Sequence, residues 1–282
     1  MLQKSIQKML GSAISLLYPY VCPVCGRILS VRRTDPERTD QNGGQPFAKS
    51  RNPYICPACY ARISFPKEPR CLCCSRPLEE EQEEFCFDCG KRKKLFDAGT
   101  SLMLHDEISR KILYDLKYYN KRDNARMLAY EAALREGQRV LSWKPDVVIP
   151  VPLHKKRQQT RGYNQAQLLA EWFCTYLAEL AQPQAFGSRH ASHGPFSLPM
   201  DPGYLIRVHR TKAQKELTGE QRMENVRNAF AIRHNADPAR YEGKTILLVD
   251  DIYTSGATLS ECAGVLKRHG AEQVYCLTFG LG

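Results

Sequence analysis

Apolar residues in the carboxyl-terminal part of the chain form short continuous runs, and segments of helical periodicity separate these runs. A continuous apolar run is typical of a strand buried on both faces, as in a parallel sheet. In the segment 107–119, by contrast, Ile108, Ile112 and Leu116 recur at the spacing of one helical face. This alternation predicts an α/β fold over residues 96–282, with a mostly parallel sheet flanked by helices.

The same pattern places the individual elements. We predict strands at residues 98–105, 146–152, 204–208, 230–233, 246–249 and 274–279. We predict helices at residues 107–119, 126–135 and 162–180, and a last helix that ends at residue 269.

The chain before residue 96 lacks this alternation. Residues 1–20 have apolar side chains at helical spacing and two lysines on the other face, which predicts an amphipathic helix. That helix could pack on the rest of the protein or contact a membrane surface. Residues 21–95 form a cysteine-rich region. Two polar segments with glycine and proline, 32–52 and 184–202, are predicted to be inserted loops.

The charge of the chain favours polyanionic partners. Its 282 residues have a formal net charge of +11, which suits nucleic acid or a phosphorylated ligand. No segment approaches the roughly 20 apolar residues that a membrane span needs. We therefore expect no stable membrane insertion and a cytoplasmic location.

Eight cysteines form four pairs, each with two residues between the partners. Two such pairs can complete a tetrahedral Zn²⁺ site, so four pairs predict about two structural zinc ions without an open coordination position. Disulfides are the alternative, but cytoplasmic thiols stay reduced. Sequential pairing gives two zinc ribbons, although a cross-braced pairing remains open. The predicted ligands are Cys22, Cys25, Cys56, Cys59, Cys71, Cys74, Cys86 and Cys89, and Cys73 is extra.

The stretch 246–259 combines a predicted buried strand with polar chemistry. Asp250 and Asp251 follow the apolar run, and a hydroxyl-rich segment with Gly256 then leads into a helix. Backbone N–H groups at a helix amino terminus, together with Ser and Thr hydroxyls, make a phosphate site. The paired carboxylates suit sugar hydroxyls or a metal ion. The alternative is an acidic strand-to-helix turn that binds no ligand.

Basic residues follow another predicted strand. Lys155, Arg157 and Arg161 lie in a predicted loop after residue 152, where their charge would suit a pyrophosphate group. A solvated basic turn is the alternative. Residues 108–129 mix basic and aromatic side chains, which could form a stacking surface for single-stranded nucleic acid or could be solvated lysines and buried tyrosines.

The 246–259 stretch resembles the binding loop for 5-phosphoribosyl-1-pyrophosphate (PRPP) in type I phosphoribosyltransferases. This loop, the block IPVPLHKKRQQTRGYNQA, the block RTKAQKELTGEQRMENVRNAF and the four cysteine pairs together resemble the ComF family of competence and DNA-uptake proteins. The two long polar insertions depart from the family pattern. The resemblance implies a type I phosphoribosyltransferase-like sheet that binds PRPP with Mg²⁺.

The resemblance also implies roles for individual residues. Asp250 and Asp251 would bind the ribose 2′- and 3′-hydroxyls. The 5′-phosphate would bind Thr254, Ser255, Gly256, Ala257 and Thr258. Lys155, Arg157 and Arg161 would bind the pyrophosphate, and a lid would include Arg210, Thr211, Gln214 and Arg222.

At the level of function, the resemblance implies a protein of natural transformation and DNA uptake. Its zinc-ribbon region would contact single-stranded DNA or partner proteins. Two alternatives are an active phosphoribosyltransferase with an unidentified acceptor and an enzyme of nucleobase salvage. The resemblance identifies no general base and leaves open whether turnover occurs.

Overall fold

The computed structural model describes residues 20–29, 52–91, 93–181, 197–209 and 226–282. Nearly all of the predicted amino-terminal helix and most of the two predicted inserted loops lie outside these residues. The strands are β1 (Ala98–Leu104), β2 (Val147–Pro150), β3 (Leu205–Arg207), β4 (Phe230–Ile232), β5 (Thr245–Tyr253) and β6 (Gln273–Leu281). The helices are α1 (Pro57–Tyr60), α2 (Phe87–Lys91), α3 (Glu107–Tyr118), α4 (Asn124–Ser142), α5 (Lys155–Arg161), α6 (Gln165–Leu180) and α7 (Ala257–Arg268).

Four strands form a parallel sheet in the order β1-β6-β5-β2. Successive side chains of a strand point to opposite faces. Ile246 and Leu248 of β5 therefore join the core beneath α7, whereas Leu247 and Val249 join the core formed with α3, α4 and α6. Because helices cover both faces of the sheet, this part of β5 is apolar at every position. The predicted α/β architecture is confirmed.

The strands β3 and β4 do not belong to this sheet. They pair antiparallel with each other, and Arg207 lies opposite Phe230. The periodicity predicted both strands, but it carried no information about which strands pair. The pairing places the end of β3 and the start of β4 side by side.

The basic segment after β2 is a helix, which corrects the predicted loop at residues 155–161. The side chain of His154 accepts a hydrogen bond from the N–H of Lys156 and begins α5. Gly162 ends it in the left-handed conformation, with φ of 80°. Asn164 then begins α6 by accepting a hydrogen bond from the N–H of Ala166. The helix predicted at 162–180 therefore begins three residues later, at Gln165, after a separate first helix.

The cysteine-rich segment packs on both cores. Cys22, Cys56 and Cys59 join the core of α3, α4 and α6, whereas Cys71, Cys74, Cys86 and Cys89 join the core beneath α7. Polar contacts fix the segment to α4: the Asn52 side chain donates to the carbonyl of Met127 (2.9 Å), and the Tyr60 hydroxyl donates to Glu131 (2.7 Å). Among the described residues, every helix is too short or too polar to span a membrane.

A buried ion pair reinforces this contact. Arg70 Nη1 lies 3.0 Å from Glu136 Oε1, and the Thr100 hydroxyl donates to Glu136 Oε2 at 2.6 Å. Burial alone would lower the pKa of Arg70, but the Glu136 carboxylate outweighs it and raises that pKa. Glu136 lies in the part of α4 beyond the predicted helix end at residue 135. The helix continues there because its polar residues find buried partners.

Replacing Glu136 by glutamine should destabilise the protein by about 3 kcal/mol, because it removes the buried one of the two carboxylates that pair with Arg70. Glu68→Gln is the matched control, since Glu68 also contacts Arg70 but is 61 % exposed, and its loss should cost under about 1 kcal/mol. Chemical denaturation of both variants measures the difference. Equal destabilisation of the two variants would show that the buried pair contributes no more to stability than the exposed contact with Glu68.

Candidate functional site

The two aspartates lie on a paired strand and not in a loop after it. Strand β5 continues through Asp250 and Asp251 to Tyr253, and its pairing with β6 extends to Tyr253 opposite Leu281. The partner on the other side ends earlier, because β2 pairs with β5 only as far as Val249. The aspartates therefore lie where the sheet opens on one side, beyond the carboxyl end of β2.

The residues after β5 form a short turn into a helix. Gly256 adopts the left-handed conformation, with φ of 72°, directly before α7. The Ala257 N–H points to the Ser255 hydroxyl at 3.4 Å, and the Ser260 N–H donates to the Gly256 carbonyl at 2.8 Å. The first turn of α7 contains no acidic residue. The N–H groups at its amino terminus and the positive end of its dipole therefore lie next to the turn, as an anion site requires.

The two carboxylates have different surroundings. The N–H of Asp251 donates to Asp250 Oδ1 at 2.8 Å, and Asp251 Oδ2 forms an ion pair with Lys117 Nζ at 2.9 Å. Burial, followed by the charge of Asp251, raises the pKa of Asp250 to about 7, although Lys117 and Arg207 act in the opposite direction. Near neutral pH, Asp250 is therefore divided between its protonated and ionised forms.

Arginines from two further elements act on this site. Burial lowers the pKa of Arg207 on β3, and the charge of Arg157 on α5 lowers it further, while Cys262 and Asp250 act in the opposite direction. The guanidinium of Arg207 also lies 5.2 Å from the centre of the Phe230 ring. The fold thus brings the predicted Arg157 together with Arg207 and Asp250.

The other predicted basic residues lie differently. The guanidinium of Arg161 lies 5.2 Å from the centre of the Tyr118 ring and donates to the side chain of Gln165. Lys155 is exposed on α5. The lid candidates Arg210, Thr211, Gln214 and Arg222 lie outside the described residues.

Two residues of this site were missed by the sequence reasoning. Lys117 was noted only as part of a basic helical side, and Arg207 was placed in a strand without a role. Lys117 forms its ion pair with Asp251 from α3, and the charge of Arg207 acts on Asp250 from β3, which lies outside the main sheet. Neither interaction has a signal in local spacing, since each depends on the tertiary arrangement.

The eight paired cysteines form two compact clusters. Within each, all four sulfur atoms lie within 4.8 Å of one another: Cys22, Cys25, Cys56 and Cys59 form the first cluster, and Cys71, Cys74, Cys86 and Cys89 form the second. The first pair meets the second and the third meets the fourth, as sequential pairing predicts. Cys73 is buried but belongs to neither set.

The sulfur spacing fits a metal ion. Four sulfurs at about 2.3 Å from a tetrahedral Zn²⁺ lie about 3.8 Å apart. The structure has 3.7 Å between the sulfurs of Cys25 and Cys56 and 3.7 Å between those of Cys74 and Cys86. Both clusters could therefore hold metal ions.

The comparisons with known proteins first give the class of the carboxyl-terminal part. A family model described as "Phosphoribosyl transferase domain" matches residues 201–279, which include β3, β4, β5, α7 and most of β6. The opened sheet edge, the aspartate pair and the turn before α7 all lie at or within this match. The class is therefore a phosphoribosyltransferase-type α/β domain joined to a segment with two four-cysteine clusters.

Several known proteins are similar to this chain over most of its length. The chain is 29 % identical to Competence protein F of Haemophilus influenzae, over 78 % of this chain and 87 % of that protein. It is 28 % identical to Competence protein ComFC of Bacillus subtilis, over 77 % and 79 % of the two chains. It is 26 % identical to the DNA utilization protein YhgH of Salmonella typhimurium, over 79 % and 83 %. The chain is thus similar over most of its length to proteins named for competence and for DNA utilization.

The raised pKa of Asp250 predicts a pH-dependent effect of Asp250→Asn. Because that pKa lies near 7 in the folded protein and near 4 in an unfolded chain, the Asp250 side chain favours folding most below pH 4. This contribution is lost as pH rises through 7. Relative to the parent protein, Asp250→Asn should therefore be more stable at pH 8 than at pH 4, by on the order of 2 kcal/mol.

Denaturation curves of both proteins at several pH values measure this change. Asp123→Asn controls for the loss of one negative charge, because the Asp123 side chain is 78 % exposed. An effect of Asp250→Asn that stays constant between pH 4 and pH 8 would contradict the assigned electrostatics.

Proposed function

We propose that the carboxyl-terminal domain binds PRPP together with Mg²⁺ at the end of β5. The observation that carries this proposal is the aspartate pair at the opened edge of the sheet, directly before the glycine turn and the amino terminus of α7. This arrangement offers acceptors for two vicinal hydroxyls and donors for a phosphate within one short stretch of chain. A phosphorylated ribose presents these groups in the same order.

The ribose and its phosphate would be held by neighbouring parts of the stretch. Asp250 and Asp251 would accept hydrogen bonds from the 2′- and 3′-hydroxyls, and Lys117 would limit the negative charge of the pair. The 5′-phosphate would take hydrogen bonds from the backbone N–H groups and hydroxyls of Thr254, Ser255, Gly256, Ala257 and Thr258. The helix dipole of α7 adds to the attraction.

The pyrophosphate would lie toward α5 and β3. Lys155, Arg157 and Arg161 are the predicted contacts, and Arg157 has the strongest support because its charge acts on Arg207, on which the charge of Asp250 also acts. Bound Mg²⁺ would neutralise part of the pyrophosphate charge. A lid containing Arg210, Thr211, Gln214 and Arg222 is supported by topology, since antiparallel pairing of β3 and β4 places both ends of the connecting segment together.

The cysteine clusters would each hold one structural Zn²⁺. Four thiolates complete a tetrahedral site and leave no position for a substrate, so the metal would stabilise the fold and not take part in chemistry. A reducing compartment such as the cytoplasm suits thiols arranged as ligand sets.

The names of the similar proteins support a proposal about the process in which this protein acts. Proteins named for competence and DNA utilization cover most of the chain, and we propose that this protein also acts in DNA uptake during natural transformation. Its basic charge suits contact with the incoming single strand. The cysteine-rich segment is one proposed contact for that strand or for a partner protein, supported by the exposed Phe87 ring beneath Lys91 Nζ at 3.8 Å.

A second surface has the features of a binding site for unpaired bases. Three tyrosines at the end of α3 and directly after it are exposed: Tyr114 by 42 %, Tyr118 by 55 % and Tyr119 by 64 %. These values contradict the alternative that the tyrosines are buried. The ring centres of Tyr114 and Tyr118 lie 4.6 Å apart, and the guanidinium of Arg161 lies near Tyr118. Clustered aromatic rings with nearby cations are how proteins bind single strands without sequence preference.

Phosphoribosyl transfer to an unidentified acceptor is the second candidate function. The partly buried positive charge of Arg157 and Arg207 favours it, because the bond from ribose C1 to pyrophosphate would break with negative charge developing on the departing group. Incubation with PRPP, Mg²⁺ and candidate acceptors, including nucleobases and DNA, would release pyrophosphate if transfer occurs. Ordinary nucleobase turnover would indicate salvage, and binding without release would indicate a ligand-binding role.

Asp250→Asn and Asp251→Asn should each weaken PRPP binding roughly tenfold or more, because each removes a charged acceptor for a ribose hydroxyl. Titration calorimetry of the full chain with PRPP and Mg²⁺ measures the dissociation constants. Asp146→Asn is the control, since Asp146 accepts from the Thr245 N–H at the opposite end of β5. If all three variants bind as the parent protein does, the proposed site is wrong.

Tyr118→Ala and Tyr119→Ala should each weaken binding of single-stranded DNA about fivefold or more, because each removes a stacking partner. Fluorescence anisotropy with labelled oligonucleotides at several salt concentrations measures affinity and its salt dependence. Phe87→Ala tests the cysteine-rich segment in the same assay. A loss with Phe87→Ala alone would assign the strand to that segment and not to the tyrosine surface.

A further inference from the structure

The second cysteine cluster lies directly behind the proposed phosphate turn. Cys89 Sγ is 3.8 Å from the hydroxyl oxygen of Tyr253, the last residue of β5. Tyr253 is buried, and its ring packs edge-on against Phe96 with ring centres 6.4 Å apart. One side chain therefore spans the distance between a cluster ligand and the strand that enters the turn.

The same ring supports the turn itself. A Cβ atom at Gly256 would lie 2.5 Å from the Tyr253 hydroxyl oxygen and 2.8 Å from its Cζ. The Tyr253 ring thus contacts the backbone of Gly256, where the left-handed conformation begins α7. The position of the ring and the path of the turn depend on each other.

Two further contacts connect the segment after the cluster to the same region. Lys94 Nζ donates to the carbonyl of Ser255 at 2.7 Å, and the Leu95 N–H donates to the Ser260 hydroxyl at 3.0 Å. Ser255 lies within the turn, and Ser260 lies in the first turn of α7. Residues that follow Cys89 closely in sequence therefore hold the turn from a second direction.

The first cluster provides a natural comparison. Cys22, Cys56 and Cys59 belong to the core of α3, α4 and α6 on the opposite face of the sheet, whereas the second cluster shares its core with Tyr253 and Ala257. Two chemically similar sites therefore differ in their relation to the turn. A general effect of metal on stability would be common to both, whereas an effect through Tyr253 would belong to the second alone.

A metal ion at the second cluster would fix the position of Cys89 and of the short segment around it, because such small segments depend on their metal for folding. The Tyr253 hydroxyl would donate a hydrogen bond to the Cys89 thiolate, and contacts of this kind orient metal ligands. Loss of the metal would release both the Tyr253 contact and the Lys94 contact. The N–H groups of the turn would then have to be ordered by the ligand at the cost of affinity.

We propose that Tyr253 is a positioning residue that couples metal at Cys71, Cys74, Cys86 and Cys89 to phosphate binding at the turn 254–256. This inference rests on the proposed PRPP site. Coupling between two sites is reciprocal, so bound PRPP also raises the affinity of the second cluster for metal and leaves the first cluster unaffected.

The first test uses the full zinc-loaded chain and Tyr253→Phe, which removes the hydroxyl and keeps the ring beneath Gly256. The variant should bind PRPP with Mg²⁺ at least about fivefold more weakly and release one of its two zinc ions to a chelator about tenfold faster. Saturating PRPP should slow that release in the parent protein. Tyr275→Phe is the control, because the Tyr275 hydroxyl bonds to Gln273 at the other end of the sheet. Unchanged affinity and unchanged zinc release in Tyr253→Phe would overturn the coupling.

A second test does not need PRPP. Cys89→Ser and Cys25→Ser should each lower the zinc content by one ion per chain, and hydrogen exchange measures the amides of residues 254–260. Exchange should accelerate in Cys89→Ser and not in Cys25→Ser, while equal exchange in both would overturn the coupling. A parent protein that fails to bind PRPP while exchange follows this pattern would refute the proposed ligand and leave the coupling intact.

Discussion

Unequal pairing along the two edges of β5 is the constraint on which the rest of the site depends. Strand β6 accompanies β5 to its last residue, whereas β2 leaves after Val249. The final residues of β5 are therefore held firmly on one side and open on the other. Side chains at this place can face a ligand without losing the rigidity of a sheet, which is why open α/β sheets bind ligands at the carboxyl ends of their strands.

The open side collects charges that would not otherwise be placed together. Asp250 and Asp251 are adjacent, and the cations that moderate them come from α3 and β3, which are distant in the sequence. Concentrated charge in a partly buried place costs stability, and proteins retain such arrangements mainly at binding and catalytic sites. The electrostatics therefore support a functional role independently of the family likeness.

The sequence was most informative where local pattern and tertiary structure agree. Apolar runs identified the strands of the parallel sheet because burial on both faces requires apolar residues at every position, and the spacing of the cysteine pairs identified both clusters. The basic cluster at 155–161 predicts a loop, but the segment is a helix that begins at the His154 cap and ends at the left-handed Gly162. The contributions of Lys117 and Arg207 were not predictable, because they depend on how α3 and β3 pack.

The contact between Arg70, Glu136 and Thr100 bears on how the chain can be divided. These groups come from the cysteine-rich segment, from α4 and from β1, and they satisfy one another largely away from solvent. If the chain were cut near residue 95, the Glu136 carboxylate of one fragment would be exposed and the Arg70 guanidinium of the other would lose this partner. The cysteine-rich segment is thus packed in a fixed position against the α/β domain and is not joined to it by a flexible linker alone. A partner bound to the cysteine-rich segment would therefore be held at a fixed distance and orientation relative to the end of β5.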